Sequence, residues 1–424
     1  MITFVLKGLL RDRSRSFFPV LMVTAGVFLT VVLYGFMQGV LGDLVSSTAK
    51  YDTGHVKITT RAWRELADQT PNDLALMNGD AILAQLRQQE GDMLWTGRIR
   101  FGGLLDVPDA EGETRAQGPV AGLALDLLGS DSPEKSIFPL EDALVRGHLP
   151  REKGEILISE AFAKGLGATP GDRVTLIGST MYGAMAIANF TIAGTLSFGV
   201  VALDRGMILV DLRDAQAALD MEDTVSEIVG FSRDMVYSKK KMASLAADFN
   251  GKFSRGEDEF SPFMVTLGQQ NGLEEYLIYA DSMGLIIVGI FVAAMSIVLW
   301  NSGLMNGLRR YGEIGVRLAM GEGKGRLYRW MVFESLIIGL AGSVAGTALG
   351  IAVTGYLQYN GLDFGSLLSQ SSLMLPNVFR AQVTPASYVI GFFPGVFASV
   401  LGALFAGIGI FRRQTAQLMK ELES

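Results

Sequence analysis

The side chains able to do chemistry are few, and their spacing does not suit catalysis. The chain has no cysteine and only two histidines, His55 and His148. The missing thiols remove disulfides, thiolate metal sites and a cysteine nucleophile. The two histidines stand 93 residues apart with no companion ligand at metal spacing, so each reads as structural or exposed. No Gly-x-Ser-x-Gly turn offers a serine nucleophile, and no His-Glu-x-x-His pair offers a zinc site. A phosphate-cradling Gly-x-x-x-x-Gly-Lys-Ser/Thr is also missing. The nearest fragment, Gly321-Glu-Gly-Lys-Gly, lacks both the spacing and the hydroxyl. The carboxylates are many, and no acid/base pair stands out among them. Met181, Tyr182 and Met185 form an apolar cluster in a glycine-rich stretch, readable as core packing or as contact with a hydrophobic ligand.

The remaining candidate is a recognition surface, in Asn306-Gly-Leu-Arg-Arg-Tyr-Gly-Glu-Ile-Gly-Val-Arg-Leu-Ala-Met-Gly321. A helical reading puts Leu308, Tyr311, Ile314 and Leu318 on one face. Arg310, Glu313 and Arg317 form a second row, with Glu313 and Arg317 in the favoured i,i+4 order, and Gly321 is a natural stop. Such a helix can lie along a bilayer surface or dock onto a partner, and its chemistry leaves both open.

The elements around it are marked by missing charge. Hydrophobic residues make up 49% of the 424 positions and charged ones 19%, whereas soluble domains carry about 25% charged residues. This apolar content argues against disorder, and a net charge of −7 argues against a nucleic-acid binder. Four apolar windows hold no Asp, Glu, Lys or Arg: Ser16–Gly42, Ser282–Leu308, Ser335–Leu362 and Ala381–Phe411. Each exceeds the roughly 20 residues that cross a bilayer as helix. A fifth window, Val174–Leu203, contains Ser179, Thr180, Asn189, Thr191, Thr195 and Ser197. It alternates apolar with small or polar residues from Phe190 on, which predicts strands joined by a turn.

Basic residues give the topology. Lys7, Arg11, Arg13 and Arg15 precede the first span, and Arg309, Arg310, Arg317, Lys324, Arg326 and Arg329 lie between the second and third. Arg412, Arg413 and Lys420 follow the fourth, whereas the third-to-fourth connection has only Arg380. Both termini are therefore expected in the cytoplasm, with the first span an uncleaved anchor. The large segment from Leu41 to Ala280 is expected outside; it holds 35 acidic and 22 basic residues, against 8 and 14 in the remainder. The expected layout is a cytoplasmic amphipathic segment at 1–16, spans at 17–41, 282–305, 331–356 and 387–411, an outer domain at 42–280, a cytoplasmic helix at 306–326, an outer loop at 357–385 and a cytoplasmic tail at 412–424. The fold class is thus an α-helical membrane protein with four transmembrane helices, arranged one plus three, and a large α+β extracytoplasmic domain between the first two.

Within that domain, strands are predicted at Gly54–Thr60, Leu94–Val107, Val120–Leu128, Glu155–Ser159, Gly171–Ile177, Gly206–Leu212 and Val225–Phe231. Helices are predicted from Asp80 as N-cap to Glu90, at Glu160–Leu166, at Arg213–Leu219 and at Ser238–Phe249. Pro108–Gly118 and Gly129–Pro139 read as loops bracketing part of an inserted subdomain around 76–145. Gly342, Gly346 and Gly350 in the third span, and Gly35 and Gly39 in the first, are small-residue seams for helix packing within or between chains. Glu334, at the mouth of the third span, reads as an interfacial hydrogen-bonding or pairing group.

Arg309-Arg-Tyr-Gly-Glu-Ile-Gly-Val-Arg-Leu-Ala-Met-Gly321, with Glu334-Ser-Leu-Ile-Ile-Gly and a glycine-rich span, strongly resembles the FtsX/MacB-like permeases of ABC transporters, the type VII mechanotransmission class. Val120-Ala-Gly-Leu-Ala-Leu, Arg146-Gly-His-Leu, Gly154 to Gly167 and Pro170-Gly-Asp-Arg-Val-Thr-Leu are similar to that family's periplasmic core. The resemblance covers nearly the whole chain. It implies that the helix after the second span couples to an ATPase through Arg309, Arg310, Glu313, Ile314, Arg317 and Met320. With no Walker motif, the chain departs from fused exporters and resembles lipoprotein-releasing (LolC/LolE-like) permeases. ATP and Mg would then sit on a separate partner ATPase, with no cofactor on this chain, which is expected to be a transport subunit and not an enzyme.

A second permease copy, identical or related, is implied, as is a bacterial inner-membrane location. The expected function is extraction of lipoproteins, with a periplasmic chaperone as a further partner and acyl chains or substrate entering near Phe36, Met37, Val40, Met283, Ile286 and Ile287. The alternatives are an FtsX-like regulator of a cell-wall hydrolase and MacB-like efflux of peptides or amphiphiles.

Overall fold

A computed structural model describes residues 13–138, 140–253, 258–270, 273–308, 311–364 and 377–412. The chain divides into two compact units. One comprises residues 1–43, 279–362 and 379–424, and the other comprises 44–278 and 363–378.

The first unit is helical. Its helices are α1 (Arg13–Thr48, whose last residues belong to the second unit), α6 (Leu273–Leu308, whose first residues do too), α7 (Tyr311–Ala319), α8 (Lys324–Asn360) and α9 (Ser399–Arg412). Among the described residues four stretches are long and apolar enough to cross a membrane: Phe17–Thr53, Ser282–Asn301, Lys324–Asn360 and Pro385–Ile408. The fourth departs from the regular helix expected at 387–411. It opens with a 3₁₀ turn at Pro385–Tyr388 and a π-turn at Phe393–Ala398 before α9 begins. Pro394 supplies no N–H there, and the looser turn absorbs the missing bond.

Glycines set the packing. A Cβ on Gly342, Gly346 or Gly350 of α8 would come within 2.6–2.8 Å of Val23, Val27 and Val31 on α1. These valines recur every four residues and are fully or nearly buried. The seam predicted at those glycines therefore joins helices of one chain. Gly35 and Gly39 face Thr354 and the Arg380–Ala381 backbone, again within the chain, and Gln382 N donates to Gly35 O at 2.8 Å.

The second unit is built on one ten-stranded sheet: β1 (Val56–Thr60), β2 (Met93–Pro108), β3 (Thr114–Leu125), β4 (Leu144–Gly147), β5 (Glu155–Ser159), β6 (Arg173–Ser179), β7 (Met185–Leu196), β8 (Met207–Asp211), β9 (Glu227–Ser232) and β10 (Pro262–Thr266), with the short strands Leu76–Met77 and Thr224–Val225 paired beside it. Their order is β10-β1-β9-β2-β3-β8-β5-β7-β4, and β6 pairs with both β2 and β7. The pairings β2-β3-β8-β5-β7-β6 thus return to β2 and close a ring. Helices α2 (Gly79–Gln89), α3 (Glu160–Leu166), α4 (Leu212–Ala218) and α5 (Lys239–Phe253) join the strands. Leu105, Leu176, Phe190, Ile156 and Ile208 share one apolar core.

The charge-free window 174–203 is mainly the β6–β7 hairpin, as its alternation predicts. Two local expectations are corrected. Asp80 lies inside α2, and Asn78 stands at the cap with φ +57° and no side-chain bond. The helix start is closed instead by Asp223, whose O accepts from Gly79 N at 2.9 Å and whose Oδ1 accepts from Asp80 N at 3.0 Å. The stretch 108–118 is largely hairpin, because Thr114–Gly118 pair with β2. Residues 76–145 contribute α2, β2 and β3 to the same unit.

Candidate functional site

Two helix surfaces stand out. The first is α7, an amphipathic helix ended by Gly321 at φ +92°, where Gly321 N and Glu322 N close on the Leu318 and Arg317 carbonyls. Ile314 is buried against Leu327, Met331 and Ala406, with Leu318 alongside. The opposite face carries Glu313, Val316, Arg317 and Met320 at spacings of three and four. Arg317 Nη2 meets Glu313 Oε1 at 2.7 Å with both side chains about 40% exposed, and Met320 is 73% exposed. Of the residues assigned to coupling, Glu313, Arg317 and Met320 thus share the open face, while Ile314 packs inward. Val316, not singled out by the sequence, joins the open face. Arg309 and Arg310 lie outside the described residues.

The second surface is the end of α1, which continues as a π-turn at Ala49–Thr53. A helix end leaves carbonyl oxygens without intrahelical donors, and here each one is met. Gly54 N donates to Ala49 O at 2.8 Å, and Arg98 Nη1 to Lys50 O at 2.8 Å. Arg100 Nη2 serves Tyr51 O at 2.8 Å and Asp52 O at 3.0 Å, and Gln270 Nε2 serves Thr53 O at 3.2 Å. Arg98 and Arg100 are two apart on β2 and so point to one face of the strand.

Both guanidinium groups are neutralised from behind. Glu134 grips Arg98 in a fork at 2.8 and 2.9 Å, with both side chains at most 1% exposed. Arg98 also lies over the rings of Phe138 and Phe231. Glu227 binds Arg100 Nε at 2.8 Å and Lys57 Nζ at 2.7 Å. Burial alone would push the Glu227 carboxyl up, but Arg100 and Lys57 outweigh it and hold the group below the usual carboxylate range. Sequence reading missed this clamp. The available signal was Arg98-Ile-Arg100, two cations on one face of an otherwise apolar strand.

The remaining candidates are dispersed. Phe36, Met37 and Val40 are half-buried, and Met283, Ile286 and Ile287 are 46–60% exposed. Met181 is buried, whereas Tyr182 and Met185 are exposed at the β6–β7 turn. Tyr182 and Met181 border a groove of about 830 Å³ with Met77, Arg213 and Asp223. His55 is buried, accepts from Ser232 N at 3.1 Å, and has its pKa pushed down to about 4 by that burial. His148 Nδ1 meets Leu149 O at 2.9 Å.

Comparison with known proteins completes this description. Residues 16–246 match the MacB-like periplasmic core domain, and residues 285–415 match the FtsX-like permease C-terminal family. The chain belongs to the FtsX/MacB-like permeases. An uncharacterized ABC transporter permease protein of Mycobacterium tuberculosis is 24% identical over 77% of this chain and 37% of its own length. The lipoprotein-releasing system transmembrane protein LolC is 25% identical in Xylella fastidiosa, over 48% of each chain. The Haemophilus influenzae LolC is 22% identical over 61% of this chain and 62% of its own. The alignments to the first two relatives therefore span less than half of those proteins' lengths. The crystal structure of the periplasmic region of MacB from Actinobacillus actinomycetemcomitans covers 53% of this chain and 93% of that one, at 13% identity and a TM-score of 0.35. In this permease the clamp residues from Lys50 to Glu227 fall within the stretch that matches the core domain, and α7 falls within the FtsX-like stretch.

Proposed function

We propose that this chain is the membrane-spanning subunit of an ABC transporter and that a separate cytoplasmic ATPase drives its outer domain. The four apolar stretches cross the bacterial inner membrane, with both termini in the cytoplasm and the ten-stranded unit outside. The observation that carries the coupling role is the open face of α7, where an ion pair sits beside exposed Val316 and Met320 while Ile314 anchors the helix from behind. A helix held on one face and open on the other is suited to receive a partner's push. The clamp at the end of α1 then gives that movement a firm grip on the sheet. ATP and Mg are held by the partner, and a second permease copy completes the assembly. Lipoproteins of the inner membrane are the proposed cargo, supported by the LolC relatives.

Reversing charge at Glu313 or Arg317 in the full chain tests the coupling. The ATPase is expected to fall away during purification in mild detergent, or to hydrolyse ATP without effect on the outer domain. Unchanged co-purification and coupling would overturn the role of α7. Depleting the protein tests the cargo: lipoproteins stranded in the inner membrane are expected, and normal sorting would overturn that assignment.

A further inference from the structure

Between α8 and α9 lies a cleft of about 360 Å³. Its walls are Val332, Phe333 and Leu336 of α8 with Val400 and Leu404 of α9, an almost wholly apolar lining. These residues are half-buried, so the slot is open on one side. One end is shaped by Tyr328. Its ring lies where a Cβ on Gly407 would collide with it, and it packs edge-on against Phe411 at 5.5 Å. Arg329 lines the same end, and its Nε donates to Gly325 O at 3.3 Å, which folds the guanidinium back toward the start of α8.

The charge at that end is mainly basic, with Glu322 standing just before α8. Lys324, Arg326 and Arg329 occupy the opening turns of α8, and its first turn holds no acidic residue. Arg326 and Arg329 are three apart, hence neighbours on the helix surface. Both are exposed, and among the described residues neither has a carboxylate partner. Cations at the positive end of a helix dipole stand in an unfavourable field, which an anion relieves.

We infer that this cleft binds an anionic phospholipid. One acyl chain lies along the apolar walls, and the phosphate rests on Arg326 and Arg329. This assignment depends on the proposal that the four stretches span a bilayer. Zwitterionic lipids offer the same chains without net charge, so discrimination comes from the two arginines. A basic side chain near a membrane surface favours an anionic headgroup by about fivefold.

The test uses the full chain with Trp300→Phe, reconstituted into phosphatidylcholine vesicles. Either phosphatidylglycerol or phosphatidylcholine is supplied with brominated chains, and the lipid-quenchable part of the tryptophan emission is read at equal mole fraction; it reports Trp330, because Trp63 and Trp95 belong to the second unit and give a constant background. Brominated phosphatidylglycerol is expected to be preferred by roughly 25-fold, the product of the two arginines' contributions. R326Q and R329Q should each reduce that preference about fivefold. V400F, which narrows the cleft and keeps both arginines, should weaken quenching by phosphatidylglycerol and serves if an arginine variant fails to fold. Equal quenching by the two lipids, or a preference unchanged by all three variants, would overturn the site. Vesicle flotation separates the two ideas: a chain that floats without lipid preference sinks only the lipid site, while a chain that does not float sinks the membrane reading itself.

Discussion

The last turn of α1 and the outer face of α7 are both helix surfaces organised by arginine, and they are finished in opposite ways. At Ala49–Thr53 every carbonyl has a donor, and each guanidinium has a buried carboxylate behind it. At Glu313–Arg317 the ion pair faces solvent beside two exposed apolar side chains. A saturated, desolvated network resists displacement because any shift leaves buried polar groups unpaired. An exposed pair adds little stability and can be exchanged for a partner's groups at small cost. The first surface suits a fixed joint and the second suits a reversible contact.

The contrast breaks most sharply at Arg98. Arg98→Met leaves Glu134 buried without its cation and removes the bond that Arg98 gives Lys50 O, and should lower the unfolding free energy by about 3–5 kcal/mol in denaturant titrations. Adding Glu134→Leu should restore much of it, because the uncompensated charge is gone.

Acid probes the same unit through His55. Its folded pKa of about 4 lies below the ordinary 6.5, so between these values the unfolded chain binds a proton that the folded one refuses. Stability therefore falls as pH drops from about 6.5 to 4, by at most about 3 kcal/mol. Thermal melts of His55→Asn should show a shallower slope across that window, and an identical slope would remove His55 as the cause.

Gly346→Leu should cost about 1–3 kcal/mol, read as a lower melting temperature in detergent. The nearest neighbours of its new side chain would be the Thr24 carbonyl and Val27. Glu313→Gln should change the melting midpoint least, by less than about 0.5 kcal/mol, since the lost pair is solvated. A large effect there would dissolve the distinction between joint and contact.

Much of this was legible without coordinates, for local reasons. Charge-free runs announce helices that can cross a bilayer because each residue contributes its own transfer cost. The i,i+4 order of Glu313 and Arg317 and the stop at Gly321 are likewise neighbour effects along one helix. The β6–β7 hairpin shows as alternation. The clamp was not legible, because Arg98 meets Glu134 across 36 residues and Arg100 meets Glu227 across 127. The start of α2 escaped for the same reason, since Asp223 caps it from 143 residues away.

The sequence by itself therefore determined which stretches are apolar helices, which segment is sheet-rich, and that no catalytic or phosphate-binding motif is present. Those properties follow from composition and short-range periodicity. Only the tertiary structure decided that the α8 glycines receive valines of their own chain, that Ile314 turns inward while Val316 turns out, and that two arginines seal the end of α1. Each of these depends on which distant residue arrives at a given surface, and short-range pattern carries no record of that.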